Sequence, residues 1–211
     1  MNIPGRHGKN PLSFAVQVLN HAAKWPLLAA LALMTGIGTV SGQAPGLIKP
    51  FGSSSELYHR AKRYYDYGND SRGIDDKRRA YQMSIPLFRE YLATGPGGDL
   101  AQQASYQLGM ALLLTGEREA AERTFTAIIS RYKNGKWVAL SAYRQAAQLY
   151  NRQEWVQAVP YFTIAGKEAI DKELAHKAIF YESRCLQMAG RAEQAIKRLG
   201  DIVGDNANPY R

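Results

Sequence analysis

The sequence predicts an all-α solenoid of about four stacked helical hairpins, and three observations carry that prediction. The first is a 37-residue repeat: Ser84, Ala121, Ala158 and Ala195 form one series, Phe88, Phe125, Phe162 and Leu199 a second, and Tyr91, Ile128, Ala165 and Ile202 a third. Self-similarity at a period of about 20 to 50 residues marks an array in which each unit buries its apolar face against its neighbours. The second is the spacing of apolar residues by three and four inside each unit, which puts them on one face of a helix. The third is punctuation, since Gly95, Pro96, Gly97 and Gly98, then Gly116, then Gly190 fall where one helix must end and the next begin. The predicted units run over residues 55–98, 99–135, 136–172 and 173–209.

Before the repeats, residues 1–24 carry Arg6, Lys9 and Lys24 with no acidic residue and lead into an uncharged apolar stretch, Trp25 to Val40. A basic flank followed by an apolar run is the order of a secretory signal. Small residues at Val40, Gly42 and Ala44 suit a cleavage site, so residues 1–44 are expected to be a signal peptide. The alternative is an uncleaved amino-terminal anchor, because the uncharged stretch extends from Trp25 to Ile48, and with it a membrane association through residues 25–48. In both readings the basic flank stays in the cytoplasm and the repeats face outward. Residues 45–54 are rich in Pro, Gly and Ser and are expected to form a linker, with Ser53 to Ser55 supplying a helix cap.

Repeat one opens with Glu56 to Tyr67, in which Leu57, Ala61, Tyr64 and Tyr65 share one helical face. Ala61 and Ser84 stand 23 positions apart where the other units have 12. The extra residues around Gly68 to Arg78 are expected to form a polar surface loop, with Asp75 or Asp76 capping the next helix. Helix B of this unit then runs through Ser84 to Thr94. Repeat two pairs Ala101 to Thr115 with Glu117 to Arg131. Repeat three pairs Val138 to Asn151 with Trp155 to Lys167, and repeat four pairs Glu173 to Met188 with Arg191 to Val203. Pro86 and Pro160 lie inside two of the B helices, two repeats apart, and are expected to bend them modestly without breaking them.

Composition narrows the function classes. Lysine and arginine number 27 against 18 acidic residues, a net charge of +9. Because acids are interleaved and no basic run alternates with aromatics, nucleic acid is not the expected partner. Cys185 is the single cysteine, cannot form an internal disulfide, and sits among apolar helical neighbours as a small buried thiol would. The four histidines, His7, His21, His59 and His176, make no metal-binding spacing, and no nucleophile motif is present. No catalytic residue, metal or cofactor is therefore expected.

Leu108, Gly109, Leu112, Ala121, Phe125 and Ile128 together resemble the tetratricopeptide repeat (TPR). Small residues at Gly109 and Ala121 let the two helices of a hairpin approach, and Phe125 fills the space toward the next one. The period of 37, against about 34 for the commonest version, and the texture F-x-x-Y-L-x-x-x-P…A-x-x-A-x-Y-x-L-G make the chain similar to bacterial envelope TPR proteins, of the type of the outer-membrane-assembly lipoprotein and the Tol-Pal coordinator. It departs from them in the long first repeat and in Lys133, where proline is frequent.

The resemblance implies a right-handed superhelix of TPR hairpins with no catalysis, an envelope location, and a partner protein or peptide held on a concave face lined by the first helix of each hairpin. On that face the aromatics three positions before the small residue are Tyr58, Tyr106, Tyr143 and Phe180. Tyr65, Met110, Leu113, Tyr150 and Met188 extend the apolar stripe, and Lys62, Lys177 and Arg184 add positive charge beside it. These twelve residues are the expected groove, suited to apolar anchors with some negative charge. Two further functions fit the same features: a membrane-anchored assembly factor of a secretion or surface-appendage machine, and an accessory superhelical part of an envelope enzyme.

Overall fold

The structure, a computed structural model, describes residues 53–203. The expected signal or anchor, and the linker up to its final Ser53 and Ser54, lie outside those residues, as does the chain beyond Val203. Among the described residues every regular element is an α-helix. In chain order they are α1 (Ser54–Asp70), α2 (Ile74–Ala93), α3 (Gly98–Thr115), α4 (Arg118–Arg131), α5 (Lys136–Asn151), α6 (Trp155–Glu168), α7 (Lys172–Met188) and α8 (Ala192–Val203). Each lies within three residues of its predicted boundary except at the long first hairpin. Odd-numbered helices are the first of each hairpin and even-numbered ones the second.

The hairpin turns show why glycine recurs there. Gly116 and Gly190 take the left-handed conformation, with φ of 94° and 75°. In the first turn Glu117 N–H bonds to the Leu112 carbonyl at 2.8 Å, and in the last Arg191 N–H bonds to Leu186 at 2.8 Å. These are Schellman closures, which satisfy carbonyls left open at the helix end. Repeat three makes the same closure, Glu154 N–H to Leu149 at 3.0 Å, with Gln153 at φ 62° where its neighbours have glycine.

The first hairpin corrects the expected loop. α1 continues to Asp70 and α2 begins at Ile74, so only Ser71, Arg72 and Gly73 connect them. Eleven residues are close to three helical turns, so they lengthen both helices while keeping their apolar faces in phase. The extension is packed as well: the Tyr65 and Tyr81 rings meet edge-on at 5.6 Å, and Tyr81 Oη donates to Asn69 Oδ1 at 2.9 Å. Gly73, not Asp75 or Asp76, is the N-cap of α2. The two aspartates occupy the first turn, where their charge complements the helix dipole. Ser53 caps α1 as expected, its Oγ accepting from Glu56 N–H at 3.3 Å.

Both prolines are absorbed. Pro86 and Pro160 sit on exposed positions of continuous helices, and the residues four before them, Gln82 and Val156, are exposed too. The carbonyls deprived of a partner therefore face water, which takes over the missing bond.

The core is a line of apolar contacts between hairpins. Phe88, Phe125 and Phe162 are at most 1 % exposed, and the alanines of the repeat series, Ala121 and Ala158, are fully buried beside them. Each of these phenylalanines also touches the aromatic of its own first helix: Tyr58 with Phe88 at 6.3 Å, Tyr106 with Phe125 at 6.0 Å, Tyr143 with Phe162 at 5.7 Å. The odd-numbered helices come close to one another, α1 against α3 and α3 against α5, whereas α2 and α4, or α4 and α6, make no comparable contact. The layer of odd helices is thus the inner side of the curve.

Candidate partner-binding face

The twelve predicted groove residues divide into a packed group and an accessible one. Tyr58, Tyr65 and Tyr106 are 3 %, 8 % and 8 % exposed, so they belong to the core and offer no ring face to a partner. Tyr58 packs on Tyr91 at 5.4 Å as well as on Phe88, and Tyr106 on Trp137 at 5.4 Å. Burial is the first cause that raises the Tyr58 and Tyr65 hydroxyls above the ordinary tyrosine range. The physical reason is the long first hairpin and Trp137, which cover the amino-terminal end of the face.

Met110, Leu113, Tyr143, Tyr150, Lys177 and Phe180 are half-buried, while Arg184 and Met188 are exposed. They run along α3, α5 and α7. Tyr150 leans on Trp155 at 5.0 Å and Tyr181 at 5.3 Å, so it is anchored in an aromatic cluster and shows only part of its ring. Lys62 closes locally on Asp66 at 2.5 Å in α1.

Two cation–aromatic contacts of different kind and register link successive odd helices. Arg144 Nε of α5 donates to Tyr106 Oη of α3 at 3.3 Å, and Lys177 Nζ of α7 stands 5.5 Å from the centre of the Tyr143 ring of α5. Within α7, Arg184 lies 5.9 Å from the centre of the Phe180 ring. Lys177 and Arg184 are held near aromatic rings, Arg144 at a tyrosine hydroxyl, and each keeps donors for an incoming carboxylate. Sequence reasoning missed Arg144, Trp137 and Asp99. Trp137 Nε1 donates to Asp99 Oδ1 at 2.8 Å, and both this pair and Arg144 with Tyr106 are separated by 38 positions. That spacing, one more than the repeat, was the available signal.

Elsewhere the structure carries an ion pair with a buried carboxylate and a partly exposed arginine. Glu182 accepts from Arg198 Nε at 2.9 Å and from Thr163 Oγ1 at 2.9 Å, tying α7 to α8 and α6. Among the described residues no group of three His, Cys, Asp or Glu is placed to hold a metal ion, and no helix is long and apolar enough to cross a membrane.

Residues 103–135, which form the α3–α4 hairpin and its exit, match the tetratricopeptide repeat family. A solved structure described as "MamA RS-1 ArsTM double mutant" is similar with a TM-score of 0.50 over 72 % of this chain and 76 % of that one, at 15 % identity. At that identity the likeness concerns the fold. No curated protein sequence matches significantly. Together with the eight helices, these matches define a TPR-like helical-repeat solenoid, the class of fold whose members generally bind protein partners.

Proposed function

We propose that this chain is a non-catalytic interaction scaffold of the bacterial cell envelope that holds a partner protein or peptide along its odd-helix face. The observation that carries the reading is the alignment of accessible apolar groups, Met110, Leu113, Tyr143 and Phe180, with cations held at ring distance beside them. Such a surface suits a segment with apolar anchors and negative charge, and the anchors sit on rigid helices, which limits the entropy lost on binding. The envelope location rests on the basic flank and apolar stretch of residues 1–44.

The test is capture from envelope extracts by the full chain, beside a Tyr143→Ala/Phe180→Ala variant whose helicity is verified by circular dichroism. Tyr106 is unsuitable for this purpose because it is core. A partner held by the parent and lost by the variant supports the reading. Equal capture by both, or none by either, removes the odd-helix face as the binding surface.

A further inference from the structure

The opposite side of the solenoid carries a second feature. Between α2 and α4, over the outer side of α3, lies a cleft of about 480 Å³. Its floor is Ala101, Ser105, Leu108 and Leu112, on the side of α3 turned away from Tyr106 and Met110. Its charged lining is Arg89, Arg123 and Arg131, with no acidic residue among the lining groups. Ala101 to Leu112 spans about 16 Å at the helical rise of about 1.5 Å per residue, the length of roughly five extended residues.

The residues that line the cleft change in the later repeats. One repeat later, Thr124 and Ala127 of its wall correspond to Tyr161 and Ile164, while Arg123 and Arg131 correspond to Pro160 and Glu168. Two repeats later, Leu108, Thr124 and Ala127 correspond to Glu182, Arg198 and Asp201. Arg198 of α8 bonds Glu182 of α7 across the equivalent space at 2.9 Å and Asp201 of its own helix at 2.6 Å. Small side chains and three arginines thus line a space where the later repeats carry larger side chains or an ion pair.

We propose that this cleft binds an acidic peptide segment of a partner protein, with one or two apolar side chains seated on the Leu108–Leu112 floor and carboxylates against the arginines. Charge complementarity selects the occupant. Present neighbours of the arginines are weak competitors: Arg89 lies 3.8 Å from Glu117 and Arg123 lies 3.9 Å from Glu119, all four side chains at least half exposed. Bidentate contact with an incoming carboxylate is shorter and stronger than either.

The experiment is fluorescence anisotropy with the full chain and a fluorescein-labelled nine-residue peptide alternating glutamate and leucine, with a lysine–leucine peptide as its counterpart. The acidic peptide is expected to bind saturably, and roughly tenfold or more tighter than the basic one. Thr124→Tyr/Ala127→Ile, which imports the side chains of the next repeat, and Arg123→Glu/Arg131→Glu are each expected to weaken it by about tenfold or more. Thr124 and Ala127 lie on α4, outside the odd-helix face, so the filled variant separates binding in the cleft from binding on that face. Absence of saturable binding, equal binding of the basic peptide, or full binding by the filled or the charge-reversal variant overturns the proposal. Should the filled variant fail to fold, the charge reversal at two exposed arginines decides.

Discussion

A Cβ placed on Gly109 would lie 2.6 Å from the Phe125 ring, closer than two carbons pack. Gly109 in α3 is therefore the contact point of its hairpin, and Phe125, fully buried, cannot withdraw. Gly109→Ala is expected to destabilise by about 1–3 kcal/mol through overpacking, although alanine is the better helix former. A Cβ on Gly200 in α8 would meet nothing within 4 Å, so Gly200→Ala is expected to stabilise by about 0.5–1 kcal/mol. Urea midpoints at an unchanged slope measure both. A neutral Gly109→Ala would show that the ring has room to move.

The left-handed turn of repeat three falls on Gln153, at φ 62°, where repeats two and four have Gly116 and Gly190. A side chain there carries a steric cost that glycine avoids, partly offset by glycine's freedom in the unfolded chain. Gln153→Gly is expected to raise stability by about 0.5–1 kcal/mol, and Gln153→Val to lower it. Thermal melts of the two variants give opposite signs if the turn is left-handed in solution.

Arg198→Ala leaves the Glu182 carboxylate buried with only Thr163 to bond it. The expected loss is about 2–3 kcal/mol, below that of a fully buried pair because Arg198 is partly exposed. Glu182→Leu combined with Arg198→Met should recover most of it, since removing both partners leaves no orphaned charge. A double-mutant cycle in urea checks the coupling.

Burial pushes the Cys185 thiol up to about 11, with the Glu182 charge adding to the shift. The folded chain therefore keeps its proton to higher pH than the unfolded chain. Stability from this group is fully present below the unfolded value, about 8.5, and is lost as pH rises toward 11. The raised Tyr58, Tyr81 and Tyr91 hydroxyls add their own loss above about pH 10. An aromatic disulfide reagent at about pH 8 is expected to label Cys185 only after denaturation, and Cys185→Ala should flatten the fall in urea stability between about pH 8.5 and 10. Rapid labelling of the native chain would contradict the burial of this face of α7.

Much of the fold was legible because periodicity reports packing directly. Phe88, Phe125 and Phe162 recur at one spacing, and all three are core. The first hairpin was misread as containing a loop because polar residues around Gly68 to Arg78 look alike on an exposed helix face and in a connection. The signal that tells them apart was Gly68 with Tyr81, where a Cβ would lie 2.8 Å from the ring, as at Gly109 with Phe125. A glycine facing an aromatic is a hairpin contact, and it repeats in the insert at a different sequence distance.

What the sequence by itself determined was the number, type and order of the helices, since these follow from local spacing of apolar groups and from glycines at left-handed turns. The tertiary structure alone decided which aromatics remain available. Tyr106 and Tyr143 hold equivalent places in the repeat, yet Trp137 covers the first while the second is half-buried with Lys177 across its ring. The open cleft beside Arg123 was decided in the same way, by what the neighbouring hairpin places next to each residue. Exposure is a property of the neighbours, and a repeat pattern records only the residue's own place.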